Sequence, residues 1–200
     1  MQHSHQRRTN RERTEATRAA LLEAARTLFI QNGYAQTSTP EIVARARVTR
    51  GALYHHFTDK QDLFRAVLER EAEAVAAQIR AVTPPAMPAK EALMAGSVAY
   101  LDAMSAPGRT RLLLIDGPAV LGLREIAAVD AAHSMQTLQE GLKAVMTETG
   151  DQSVSASALA ALLSVAFDRA ALEIEAGSDP TEYKSAILRL VERVIASVPD

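Results

Sequence analysis

Cysteine is absent from the 200 residues, which excludes a disulfide framework and any metal site built on thiolates. Tryptophan is absent too, and aromatic residues make up only 4% of the chain. No run of about 18 apolar residues occurs, so no segment is expected to span a membrane. The opening stretch MQHSHQRRTNRERTE is charged and leads into no apolar h-region, so it does not read as a secretory signal. These absences point to a cytoplasmic chain. Strict apolar–polar alternation is nowhere sustained enough for a sheet, and no internal repeat or low-complexity segment stands out. Nor does a Glu-x-x-His pair appear, the spacing a metal-dependent enzyme on a helical bundle would need. His3 and His5 lie on a charged end, and His55 and His56 are adjacent, about 100° apart on a helix, with no carboxylate or cysteine at ligand spacing. No catalytic residue, metal or cofactor is therefore expected.

What is present is an apolar fraction of 48%, enough for one or two packed units, and an uneven distribution of charge. Residues 1–65 carry 11 Lys/Arg against 6 Asp/Glu, whereas residues 66–200 carry 11 against 18. A basic end beside an acidic body is the footprint of a nucleic-acid reader joined to a module with another task.

The stretch Thr37–Phe57, TSTPEIVARARVTRGALYHHF, organises that basic end. Ser38 followed by Glu41 is a capping box that starts a helix at Thr39, and Pro40 falls in its first turn, where a missing N–H is harmless. Ile42, Val43 and Ala46 give this helix an inward side. Val48 closes a turn, and Thr49 N-caps a second helix whose inward residues are Leu53 and Phe57. Thr49, Arg50, Gly51, Tyr54, His55 and His56 are left facing outward. Two short helices across a tight turn form a helix-turn-helix, whose second helix enters the DNA major groove. Arg50 is the candidate for base readout, since a guanidinium forks onto O6 and N7 of guanine; a phosphate contact alone is the alternative.

The residues Gly33-Tyr34, Thr37-Ser38-Thr39, Glu41-Ile42-Val43, Val48 through Phe57, Lys60 and Leu63-Phe64 resemble the tetracycline-repressor family of bacterial transcriptional regulators. The likeness covers residues 14 to 68; the remainder resembles the family only in length and helical pattern. It implies an all-α protein, with a three-helix DNA-binding domain followed by a helical ligand-binding and dimerisation domain. It further implies that Gly51 lets the helix approach the DNA backbone closely, and that Thr39, Thr49, Tyr54, His56 and Lys60 hold phosphates. His55 would lie near a base or a thymine methyl. Many members have glycine in the turn where this chain has Arg47, and a left-handed arginine there costs roughly 1–2 kcal/mol.

Around this stretch, residues 1–13 read as a basic disordered arm holding Arg7, Arg8, Arg11 and Arg13. Residues 14–65 read as the DNA-binding domain and 66–200 as the regulatory body. A first helix begins at Thr14 or Thr17 and stops near Gln31, before Asn32-Gly33. Thr58-Asp59-Lys60-Gln61 starts a long fourth helix reaching about Val82, with Lys60 placed to hold a phosphate. Thr83-Pro84-Pro85-Ala86-Met87-Pro88 interrupts the chain. Helices then follow over 89–105, 109–116, 118–148 (with a break near Asp130), 155–176 and 180–197, about nine in all. Asp179-Pro180 is an N-cap and first-turn proline pair.

Only Tyr100, Phe167 and Tyr183 supply aromatic rings after residue 65, which disfavours an aromatic cage for cations. An aliphatic, methionine-lined pocket is easier to build from Leu93, Met94, Met104, Leu113, Leu121, Met135 and Phe167. Arg111, Asp116, His133 and Asp168 are polar groups available to orient a ligand; ordinary core packing is the alternative for each apolar residue. Leu159, Leu162, Leu163 and Ala166, followed by Ile187, Leu190, Val191 and Val194, line two helices that would form a four-helix bundle with a second copy. The resemblance implies the same dimer, a palindromic operator, and release from it by an apolar small molecule that moves the fourth helix. A DNA-binding regulator that answers to a protein partner, or to no effector, remains the competing reading.

Overall fold

The computed structural model describes residues 10–150 and 154–196, and every regular element among them is helical. Residues 1–9, which hold His3, His5, Arg7 and Arg8, lie outside the described residues, as do 151–153 and 197–200. The chain forms two compact units, one reaching to Val67 and one starting at Leu68. No described helix is long and apolar enough to cross a membrane.

The first unit is built from α1 (Asn10–Gln36), α2 (Thr39–Ala46), α3 (Arg50–His56) and the start of α4 (Lys60–Val82). Helix α1 begins at Asn10, earlier than Thr14. Thr14 Oγ1 donates to the Asn10 carbonyl at 2.9 Å, and Arg11 pairs with Glu15 one turn on at 2.9 Å. Arg11 and Arg13 thus belong to a helix and not to an arm. Gly33, at φ 78° and ψ 165°, kinks α1 where the sequence predicts its end, and a short turn runs on to Gln36. Buried Thr37 closes that turn by donating to the carbonyls of Gly33 (2.8 Å) and Leu28 (3.2 Å).

Leu21, Ala25 and Phe29 from α1 bury against Ile42, Leu53, Phe57, Leu63 and Phe64. Phe29 and Phe64 meet edge to face at 5.0 Å, and the Tyr34 ring lies 5.0 Å from Phe64. Truncating either phenylalanine to alanine would cost about 3–5 kcal/mol, a large share of a small domain's stability. Leu28 and Val48, beside this core, are only half-buried.

The second unit continues α4 and adds α5 (Ala89–Met104), α6 (Arg109–Arg111), a π-helical turn (Leu112–Asp116), α7 (Gly117–Leu121), α8 (Leu123–Ala131), α9 (Ser134–Thr149), α10 (Ala156–Glu175) and α11 (Pro180–Ile195). The stretch predicted over 118–148 with one break near Asp130 is therefore three helices, with a second break at Gly122. Gly122, at φ 86°, makes one break, and His133, at φ −130° and ψ −98°, makes the other just past Asp130. Gly117 is the glycine that packing demands here: a Cβ would stand 2.9 Å from Ile126 Cδ1 and 3.0 Å from the Leu112 carbonyl. Helix α5 packs on α9, α10 and α11. Between α4 and α6, buried Arg109 donates from Nε to Glu71 at 2.9 Å and from Nη1 to the Ala103 carbonyl at 2.6 Å. Asp179 caps α11 by accepting from the Thr181 N–H at 2.9 Å, with Pro180 in the first turn as the sequence predicts.

Candidate nucleic-acid interface and effector cavity

Local hydrogen bonds hold α2 and α3 at a fixed turn. The Ser38 N–H donates to the Glu41 carboxylate at 2.8 Å while the Glu41 N–H reaches Ser38 Oγ at 3.4 Å, completing the capping box; Ser38 Oγ also donates to that carboxylate at 2.7 Å, and this bond, followed by the Ser38 N–H, holds the Glu41 carboxyl below its ordinary range. At the other end of α2, Arg47 adopts the left-handed conformation, φ 56° and ψ 40°. Its N–H donates to the Ala44 carbonyl at 3.2 Å, and the Val48 N–H donates to Val43 at 3.1 Å. Those two bonds form a Schellman stop with arginine where glycine is usual. Thr49 then caps α3, its Oγ1 accepting from the Ala52 N–H at 3.2 Å. The strained turn is thus held by bonds on both sides.

The outward face of α3 gathers most of the residues singled out from sequence. The Arg50 guanidinium lies 5.4 Å from the Tyr54 ring centroid, and hydrogen bonds with the Thr39 hydroxyl and then Arg50 pull the Tyr54 phenol below its ordinary range. Thr39, Arg50 and Tyr54 are therefore one polar cluster spanning both helices, with Tyr54 left 43% exposed. His55 is exposed; His56 is half-buried 5.3 Å away, ring to ring, and burial, followed by the charges of His55 and Arg18, lowers its basicity. Arg18 of α1, which the sequence reading passed over, lies 5.3 Å from the Phe57 ring centroid beside His56. The signal for it was there: an arginine on α1 outside the helix's apolar stripe.

Thr49 Oγ1 accepts from the Ala52 N–H as the expected cap, which leaves the hydroxyl hydrogen for a phosphate; Lys60 falls differently from expectation. Lys60 Nζ donates to the carbonyls of Tyr34 (2.9 Å) and Thr37 (3.0 Å) and rests 4.1 Å over the Tyr34 ring. Its ammonium ties the end of α1 to the start of α4. Asp59 and Asp62 occupy the α4 N-terminus: Asp59 accepts from the Asp62 N–H (2.8 Å), and Asp62 from the Thr58 N–H (2.9 Å). A pair of carboxylates at that terminus repels phosphate, so the phosphate role drawn for Lys60 does not fit its surroundings.

In the second unit, a cavity of about 480 Å³ opens between the end of α4, α5, the α8–α9 turn, α9 and α10. Leu93, Met135 and Phe167 line it as the sequence predicts. Met94, Met104, Arg111, Leu113 and Leu121 do not: Met104 and Leu113 are buried in the core, and Arg111 faces Asp116 at 3.4 Å. Aliphatic character selects both core and cavity, and only helix phase separates them.

The polar side of the cavity was only partly foreseen. Tyr100 donates to Asp168 Oδ1 at 2.6 Å, and its ring meets Phe167 edge to face at 5.4 Å. Asp130 lines the same wall; burial and then the Asp168 charge push its carboxyl up to about 6. Burial likewise raises Asp168, and burial and the two carboxylates raise Tyr100 well above the ordinary phenol range.

The two C-terminal helices expose only part of the predicted face, Leu162 and Leu190. Leu163, Ile187 and Val191 point into the core, and Leu159, Ala166 and Val194 are half-buried. The exposed apolar row is Leu162 (73%), Val165 (66%) and, on α11, Leu190 (41%). The apolar stripes of both helices are consumed inside the unit, and the outward row is rotated from them.

Comparison with known proteins agrees with this architecture at both ends. A profile described as bacterial regulatory proteins, tetR family, matches residues 21–67, and one described as a tetracyclin repressor-like C-terminal domain matches residues 90–198. The HTH-type transcriptional repressor BepR of Brucella suis is 47% identical over 64 residues, covering 32% of this chain and 30% of that protein. The HTH-type transcriptional activator FasR of Mycolicibacterium smegmatis is 33% identical over 96 residues, covering 48% of this chain and 44% of its own. The matches thus span under half the length of these curated relatives. The crystal structure of a tetR-family transcriptional regulator from Pectobacterium atrosepticum is similar throughout, at 32% identity and a TM-score of 0.71 over 96% of this chain and 100% of that one. With both profiles matched in order and one relative similar along its whole length, the chain belongs to the tetR family of bacterial regulatory proteins.

Proposed function

We propose that this chain is a DNA-binding transcriptional repressor that reads a palindromic operator as a homodimer, each α3 lying in a major groove, and that a small molecule in the cavity releases it. The observation that carries the reading is the outer face of α3. Exposed Arg50 and Tyr54 and half-buried Thr39 form one cluster, and beside them a Cβ on Gly51 would meet only Thr49 Oγ1, at 3.9 Å. Nothing in the fold asks for glycine there, whereas a DNA backbone approaching α3 would. Arg18, Arg45 and Arg47 add positive charge on the same unit.

Thr39, Thr49, Tyr54 and His56 act on phosphates in this reading, Arg50 and His55 on base edges, and Lys60 holds the unit together. Helix α4 starts among these residues, and its last turns place Ile79 and Arg80 in the cavity wall. A ligand that favours one position of α4 thereby acts on the DNA-binding unit; reversing a 1:99 population takes about 5.5 kcal/mol of differential binding. BepR is named a repressor and FasR an activator, so the sign rests on the effector-release reading.

Selection from a randomised DNA library at physiological salt tests the proposal, with Arg50→Ala as control. A palindrome with half-sites about one helical turn apart, weakened or relaxed by Arg50→Ala, is the expected outcome. Binding that depends only on salt and shows no sequence preference would remove specific regulation from the reading.

A further inference from the structure

The cavity carries more negative charge than its own walls balance. Its charged lining residues are Arg80, Asp130, Glu140, Glu148 and Asp168. Arg80 is engaged outward, its Nη2 at 2.6 Å from Glu73, and His133 Nδ1 lies 3.2 Å from the same carboxylate. Asp168 takes the Tyr100 hydroxyl, and Asp130 takes the Ser134 side chain and the Met135 N–H. Neither Asp130 nor Asp168 meets a lysine or arginine among the described residues. Both are held above the ordinary carboxylate range, as befits two acids sharing one buried site, where the His133 charge offsets burial at Asp130 only slightly.

Around them the walls are aromatic and aliphatic: Tyr100 and Phe167 set edge to face at 5.4 Å, with Leu93, Leu138 and Met135 beyond. An anion entering here would face both carboxylates. A neutral apolar molecule would cover them without pairing them, which is costly. A cation satisfies both, and aromatic faces add to its attraction. A volume of about 480 Å³ is in the range of pockets for small organic ligands, far larger than a bare metal ion needs.

We propose that the cavity takes an organic cation, a protonated amine on an apolar frame, with its ammonium set between Asp130 and Asp168 and its frame against Tyr100 and Phe167. This rests on the reading of the cavity as the effector site and narrows what occupies it. It also replaces the purely apolar ligand that an aliphatic cavity implies. Aromatics are few in the sequence, but the fold brings two of the three beyond residue 65 together at the acidic wall.

Calorimetric titration of the full chain with phenylbutylamine, phenylbutanol and phenylbutyrate tests this, because the three share a frame and differ in charge. The amine should bind at least about tenfold tighter than the alcohol, with the carboxylate weakest. Asp168→Asn and Asp130→Asn should bring the amine down to the level of the alcohol while leaving the alcohol unchanged. Melting curves establish that each variant is folded. Absence of amine binding, parity of alcohol or carboxylate with the amine, or indifference to both substitutions would overturn the proposal. Release of operator DNA, followed in parallel, separates it from the reading beneath. Amine binding that depends on the aspartates but leaves DNA bound would remove the effector role and keep the cation site. Release by the alcohol or carboxylate alone would do the reverse.

Discussion

Gly51 and Asp130 are each unfavourable to the fold for a reason that points to a ligand. Gly51 is helical, its φ is not positive, and a Cβ would enter open space. Glycine inside a helix loses up to about 1 kcal/mol relative to alanine. Gly51→Ala should therefore stabilise the protein by about 0.5 kcal/mol in urea unfolding while weakening operator binding; an unchanged operator affinity would mean no DNA backbone comes close to it. Asp130 is the acidic counterpart. Its folded carboxyl titrates at about 6, above the ordinary 3.8, so protonation favours the folded state. That contribution is full below about pH 4 and is lost as pH rises through about 6. Asp168, His133 and Tyr100, the charged and titratable groups that act on Asp130 or feel its charge, are present in both proteins, so the difference between wild type and Asp130→Asn isolates it. The variant should be more stable than wild type by about 1–2 kcal/mol at pH 7.5, after allowance for solvent screening, with that advantage fading toward pH 4. A difference that does not change with pH would contradict the raised carboxyl.

At the scale of elements, the helix starts were the readable part of the chain. Ser38, Thr49 and Asp179 cap the helices their side chains announce, because a cap is a local bond made within three residues of sequence. What depends on distant partners was less readable. The alanine-rich stretch after Pro118 gave no local reason to break at Gly122, and Leu93 and Met104 look alike until helix phase sends one to the cavity and the other to the core. Lys60 was read from its helix terminus, but its partners are carbonyls far back in the chain. The α2–α3 turn lies between these cases. Its left-handed residue was anticipated at Arg47, and the Schellman bonds on either side show how the strain is held. Arg47→Gly should relieve it and raise the stability of the first unit by about 1 kcal/mol, read as a higher urea midpoint at unchanged slope. If DNA affinity falls while stability rises, Arg47 also contacts phosphate; if neither changes, the left-handed turn is absent in solution.

The whole molecule is where the outward row on α10 gains its meaning. Leu162 and Val165 are 73% and 66% exposed, one turn apart, and Leu190 on the adjoining α11 is 41% exposed. Helices α10 and α11 already bury Leu163, Phe167, Ile187 and Val191 within the unit, so this second apolar row has no partner inside the described chain. A two-fold pairing of α10 and α11 with the same helices of a second copy would cover it, and a palindromic operator requires that symmetry. Leu162 sits on the exposed side, so Leu162→Arg removes no core contact and should leave the fold intact. In the dimer, however, it would bring like charges together near a two-fold axis and bury them. The expected outcome is a monomer by sedimentation, with little change in helicity and an operator affinity reduced to that of a single half-site. A Leu163→Ala control should behave in the opposite way, losing about 2–4 kcal/mol of stability through a core cavity while remaining a dimer. If Leu162→Arg sediments as a dimer with full operator affinity, the two copies meet through some other face.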